Sequence, residues 1–166
     1  MELQPVPLSA EKFASFGEVV ELESARQLQI NQGLTTRYHD LFEIDASDQG
    51  GRPIVSVFRT APLPLPHQVT VMERHPLGSQ AFIPVERNPF LVLVAPAGEK
   101  IRAADLSLFI TNGKQGINLW KNTWHHFQIV LGRTQSFLVI DRGGKGNNLV
   151  ETPVADQPVW IPEHFS

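Results

Sequence analysis

Histidine recurs in short polar clusters of this chain, each beside carboxylates, arginines or aromatics. The densest is NGKQGINLWKNTWHH, Asn112 to His126, which carries Lys121 and ends on Trp124, His125 and His126. A second cluster is Glu73-Arg74-His75, followed by Gln80. A third is Asn31 with Arg37-Tyr38-His39-Asp40, and a fourth is Asp141-Arg142. An imidazole titrates near neutral pH and suits proton transfer. A guanidinium holds a planar carboxylate through two parallel hydrogen bonds. Together these residue types point to acid–base chemistry on a small molecule, and the arginines suit one that carries a carboxylate. Glu73, His75 and His125 could also bind a divalent metal. A good site usually takes three or more histidine or carboxylate ligands. Here Gln80 would be one of the set and is a poor ligand, so a metal is possible but not favoured.

Elements able to position these residues are short strands. Ile54 to Arg59 reads as a strand, closed by the proline-rich Ala61 to Pro66. Val69 to Met72, Gln80 to Val85, Phe90 to Ala95, Leu106 to Thr111, Phe127 to Leu131 and Ser136 to Ile140 follow, most of them separated by Gly, Pro or Asn. Many short strands at this spacing indicate a sandwich or barrel. Neighbours along a strand point to opposite faces. Only one of His125 and His126 can therefore face a barrel interior, and Trp124 shares the other's face. Glu73 and His75 share one face, to which Gln80 can return. Asp141 shares a face with Phe137 and Val139, and if inward it needs a partner. Ser9 is expected to cap a short N-terminal helix, Ala10 to Phe16, with Gly17 as its stop and Phe13 and Phe16 on its buried face. Asn112 to His126 reads as too polar for a core strand. The tail, Pro153 to Ser166, reads as an extended arm packing across the barrel or onto a second subunit.

Composition narrows the class. At 166 residues and 42% hydrophobic, the chain is expected to form one domain, 1–166, with a sizeable core. The net charge of −3 gives no footprint for nucleic acid or an anionic membrane. With no cysteine there is no disulfide, thiolate–zinc site or cysteine nucleophile. MELQPVPLSAEKF has no basic stretch leading into an apolar run, and no apolar run is long enough to span a bilayer, so a cytoplasmic protein is expected. GGKGNN lacks the spacing of a phosphate loop.

Several ordered motifs resemble ureidoglycolate lyases: LSAEKFASFGEVV, NQGLTTRYHD, ERHPLGSQAFIPV, FITNGKQGINLWKNTWHH and FLVIDRGG. They cover nearly the whole chain. The resemblance implies a mainly β, cupin-like double-stranded β-helix barrel and a homodimer. It implies cleavage of (S)-ureidoglycolate to glyoxylate and urea in allantoin degradation. Cupin metal motifs begin with H-x-H, and Glu73 replaces the first histidine while Gln80 replaces the acidic ligand. The reaction involves no redox step, so no cofactor is required. On this reading His125 and His75 are the proton-transfer groups, with His39, Asp141 and Lys121 as alternatives. Arg37, Arg142 or Arg74 binds the carboxylate. Asn31, Tyr38, Gln80 and Trp124 complete the substrate site. The alternatives are a metal-dependent cupin-like enzyme on another small carboxylate and a barrel that binds a small ligand without turnover.

Overall fold

The computed structural model describes residues 1–154 and 156–165. Ala155 and Ser166, both within the expected arm, lie outside them. The protein is mainly β, with a single short helix, and is consistent with a cupin-like barrel. One sheet runs in the order Val6–Pro7, Ser107–Ile110, Phe90–Ala95, Trp124–His125, Val71–Arg74 and Val150–Pro153, with Ile129–Val130 also paired to Phe90–Ala95. The other runs Gly17–Val20, Gly116–Leu119, Gln80–Pro84, Gln135–Gly143 and Arg52–Thr60. Strands Arg52–Thr60 and Val150–Pro153 end their sheets and are not paired with each other, so the barrel keeps an open seam.

Two cores explain the continuous apolar run Phe90–Ala95, all of which is buried. Phe90, Val92 and Val94 face the space between the sheets, where they meet Phe82, Ile117, Leu119, Phe137 and Val139. Leu91, Leu93 and Ala95 face a second core with Met72, Trp124, Val159 and Ile161. The C-terminal strand Val159–Ile161 closes that second core by pairing with His67–Val69. Each fully buried leucine or phenylalanine contributes roughly 1.5–3 kcal/mol. Such a strand has no solvent face and therefore no polar alternation.

Several sequence expectations change. The helix spans only Ala10–Phe13, capped by the Ser9 hydroxyl accepting from the Lys12 amide. Gly17 opens a strand instead of stopping the helix, and it is needed for contact: a Cβ there would lie 2.0 Å from the Asn118 carbonyl oxygen. Val69 to Met72 breaks at Thr70 into His67–Val69 and Val71–Arg74, which serve different sheets. Phe127 to Leu131 contracts to Ile129–Val130. Strands also begin well before Ile54, at Gly17–Val20 and in the hairpin Arg26–Ile30 with Thr35–His39. Gly116–Leu119, within the stretch expected to be too polar, is a wholly buried strand. Asn118 is tolerated there because its amide donates to Glu18 Oε2 at 2.7 Å and to the Glu43 carbonyl at 2.9 Å. Among the described residues, no helix is long and apolar enough to cross a membrane.

Gly17→Ala forces a side chain into that backbone contact. It should cost about 2–3 kcal/mol and lower Tm by roughly 5–10 °C, read by thermal denaturation at neutral pH. An unchanged Tm would show that the two strands are not held at this spacing.

Candidate active site

Register brings the polar groups together at one end of the inter-sheet core. His125 pairs directly with Glu73 on one side and with Val94 on the other, so both polar side chains share the inner face with Val94. Trp124 falls on the outer face, as alternation requires. In the other sheet Gln80 pairs with Leu119, and Asp141 lies two residues beyond inward-facing Val139. The turn Trp120 to Thr123 is pinned to this region. Its Asn122 has a φ of 69°, a left-handed conformation that asparagine tolerates, and its amide donates to the His75 carbonyl at 3.0 Å.

His125 is 2% exposed. Its Nδ1 donates to the Thr123 carbonyl at 3.0 Å, which fixes the tautomer and leaves Nε2 as the reactive nitrogen. Nε2 lies 3.5 Å from Glu73 Oε1 and has no hydrogen-bond partner. At that length the pair is poised but not closed. The His75 and His125 ring centroids are 5.1 Å apart. The interaction with His125 holds the Glu73 carboxyl below the usual carboxylate range, against its own burial. Burial, and then the neighbouring His125, hold His75 below the ordinary imidazole value.

His75 belongs to a hydrogen-bonded chain. Its Nδ1 contacts the Asn148 carbonyl at 2.6 Å and its Nε2 contacts Gln80 Oε1 at 3.1 Å. Gln80 Nε2 in turn donates to Asp141 Oδ2 at 3.2 Å. Donor counting shows what this requires. A carbonyl only accepts, so Nδ1 carries a proton. If Asp141 is ionised, the Gln80 NH2 must face it, the amide oxygen then faces Nε2, and His75 must be doubly protonated. If His75 is neutral, the amide must turn over and Asp141 must hold the proton. Asp141 Oδ1 is buried and without a partner.

Other sequence candidates are placed elsewhere. Asn31, Arg37 and Tyr38 lie on the exposed hairpin, whose two strands pair only with each other. His39 borders a separate cleft with Arg26 and Asp40. Lys121 is bound by Asp48 at 2.8 Å and Asp45 at 3.1 Å. That ion pair lies on a cleft of about 620 Å³ that includes Ser79 and Trp120 but none of Glu73, His75, Gln80, His125 or Asp141. Arg142 is buried and spent on backbone: its guanidinium donates to the carbonyls of Asp48 and Lys145. Arg74 donates to the Gly98 carbonyl and stacks 4.6 Å above Trp124, whose Nε1 donates to the same carbonyl. Sequence reasoning missed the Asn148 carbonyl, because a backbone acceptor in a glycine-rich turn has no side-chain signature.

The donor set bears on a cupin-type metal. One ligand atom each from Glu73, His75 and His125 fit within 4.8 Å of one another. Both nitrogens of His75 are already engaged, however, leaving only Glu73 and His125 free. As folded, the set falls short of three free ligands.

Paired imidazoles flanked by carboxylates, on a mainly β scaffold, are groups able to exchange protons with a small molecule. Comparison with known proteins gives the family. The sequence profile described as "Ureidoglycolate lyase" matches residues 1–162. Among curated relatives, a ureidoglycolate lyase of Burkholderia mallei is 48% identical over 157 residues, 95% of this chain and 91% of that protein. One from Azotobacter vinelandii is 48% identical over 145 residues, 87% of each chain. One from Pseudomonas syringae pv. tomato is 43% identical over 145 residues, 87% of this chain and 85% of that protein. The chain belongs to the ureidoglycolate lyase family.

His126 lies behind the site, packed 5.3 Å from the His67 ring, and burial lowers its pKa to about 4. A depressed pKa makes the stability it contributes complete above the unfolded value near 6.5 and lost as pH falls towards the folded one. Between pH 7 and pH 5 the protein should lose about 2 kcal/mol from this group. His67, also lowered by burial, adds in the same direction. Denaturant melts of His126→Phe should therefore show a shallower, though not flat, dependence over that interval. An undiminished slope would mean that His126 is already charged in the folded protein.

Proposed function

We propose that this protein splits (S)-ureidoglycolate into glyoxylate and urea, as a cytoplasmic carbon–nitrogen lyase of allantoin degradation. The observation that carries the reading is the unpartnered Nε2 of buried His125 facing Glu73, next to the hydrogen-bonded chain of His75, Gln80 and Asp141.

Ureidoglycolate carries a carboxylate, a hydroxyl, a hydrogen and a ureido nitrogen on one carbon. His125 Nε2, with Glu73 stabilising the resulting imidazolium, takes the hydroxyl proton. The oxygen's electron pair forms the carbonyl of glyoxylate, and the carbon–nitrogen bond breaks. The departing nitrogen takes a proton from the His75–Gln80–Asp141 chain, through Asp141. The enzyme gains one proton and loses one, so exchange with solvent resets it. Each transfer typically contributes ~10² to 10⁴ in rate. No oxidant, reductant or metal is needed for this balance.

The reading includes a one-domain subunit and a homodimer. Val55, Val57 and Leu138, which are 64%, 65% and 37% exposed, form an apolar patch on the outer face at the end strand of one sheet. A patch of this kind suits a self-complementary contact.

Chelator-treated protein given (S)-ureidoglycolate should release glyoxylate and urea in equal amounts, without ammonia. Ammonia as product would instead indicate a hydrolase, and activity that returns only with a divalent ion would favour metal ligation by Glu73, His75 and His125. His125→Ala and His75→Ala should each lower kcat/KM by about 10² to 10⁴ while remaining folded. Near-normal kcat/KM in both would sink the assignment.

A further inference from the structure

The proposed substrate brings a carboxylate into a site that already holds the acidic residues Glu73 and Asp141. It therefore needs a cation. The arginines and lysine nearest in sequence are committed elsewhere: Arg74 to Gly98 and Trp124, Arg142 to two backbone carbonyls, and Lys121 to Asp45 and Asp48. Resting on the lyase reading, we propose that Arg52 is the carboxylate anchor, held at the mouth of the barrel on its open edge.

The argument is one of register. In the ladder between Arg52–Thr60 and Gln135–Gly143, Phe58 pairs with Phe137, Ser56 with Val139, Ile54 with Asp141 and Arg52 with Gly143. Phe137 and Val139 belong to the inter-sheet core, and Phe58 meets Phe82 of that core edge-on at 6.2 Å. Alternation then puts Arg52, Ile54, Ser56 and Phe58 on the inner face. A Cβ added to Gly143 would meet Ile54 Cγ2 at 2.7 Å, so Gly143 and Ile54 look to the same side. Arg52 therefore leaves the strand on the face that carries Asp141, diagonally across from it. Diagonal neighbours in a sheet are roughly 7–8 Å apart, within the span of an arginine side chain plus a bound carboxylate.

Two further observations fit. The residue directly opposite Arg52 is a glycine, followed by Gly144, so neither adds a side chain beside the guanidinium. Arg52 is also exposed and, among the described residues, forms no hydrogen bond or ion pair, which leaves its planar fork free. Its neighbour Gly51 is fixed, because a Cβ there would run into Arg142 Nε at 2.3 Å. The loop that precedes Arg52 is thus anchored on Arg142, which gives that buried arginine a supporting role in the same subsite.

The test compares Arg52→Ala, Arg52→Lys and Arg37→Ala in the full-length protein. Arg52→Ala should lower kcat/KM for ureidoglycolate about 10- to 100-fold, mainly through KM, because a charge-assisted bidentate contact is removed. Arg52→Lys should recover part of the loss, and millimolar guanidinium chloride should partly rescue the alanine variant. Inhibition by glyoxylate should weaken in Arg52→Ala while inhibition by urea, which has no carboxylate, stays the same. A merely structural residue would not produce that split. Full activity in Arg52→Ala, the loss appearing in Arg37→Ala instead, or equal weakening of glyoxylate and urea would each overturn the proposal. If the wild type does not turn over ureidoglycolate, the lyase reading fails. Direct titration would then still judge the anchor: glyoxylate binding lost only in Arg52→Ala upholds it, and binding unaffected by the substitution refutes it.

Discussion

The site depends on a single cross-strand register, His125 opposite Glu73. Because side chains alternate, slipping the strand Trp124–His125 by one residue would turn His125 into the outer core and bring Trp124 inward. The register is protected from both sides. Trp124 fills the outer core and is tied to Gly98 through its indole nitrogen, while Thr123 and Trp120 are bonded to the Phe16 carbonyl. A short strand that could contribute little by itself is thus fixed by packing on one face and hydrogen bonds on the other. The freedom left to His125 is confined to one nitrogen.

The electrostatics follow from that confinement. The contact with His125 holds the Glu73 carboxyl low against its own burial, and burial with His125 holds His75 low. At 3.5 Å Glu73 and His125 are too far apart to form a settled hydrogen bond. The neighbouring chain of Asn148, His75, Gln80 and Asp141 has a different logic. A side-chain amide has one donor end and one acceptor end, so Gln80 cannot satisfy an acceptor on both sides. Gln80 thus meets His75 through its oxygen and Asp141 through its nitrogen.

Alternation made part of this arrangement legible in the sequence. It separated Trp124 from His125 and grouped Glu73, His75 and Gln80, and it put Asp141 with Phe137 and Val139. It failed where distant segments decided the outcome. Lys121 looked available beside two tryptophans, but Asp45 and Asp48, over seventy residues earlier, neutralise it. The stretch that holds Asn118 looked too polar for a core strand, but Glu18 and the Glu43 carbonyl accept from the Asn118 amide nitrogen. Arg37 looked like the carboxylate ligand and Tyr38 like a substrate contact, but a two-stranded ribbon that, among the described residues, pairs only with itself leaves both exposed. Arg142 looked like a substrate ligand because its acceptors are backbone carbonyls, which no sequence pattern announces.

The strand Arg52–Thr60 has a consequence for the life of the chain before it has folded. It is nine residues long, ends its sheet, and shows Val55 and Val57 to solvent. Such an edge is a template for indiscriminate strand addition and for aggregation. Its only guards are local: Pro53 near its start, which withholds one donor, and a charged residue towards each end, Arg52 and Arg59. The same edge that leaves the barrel accessible therefore exposes newly made chains to mispairing.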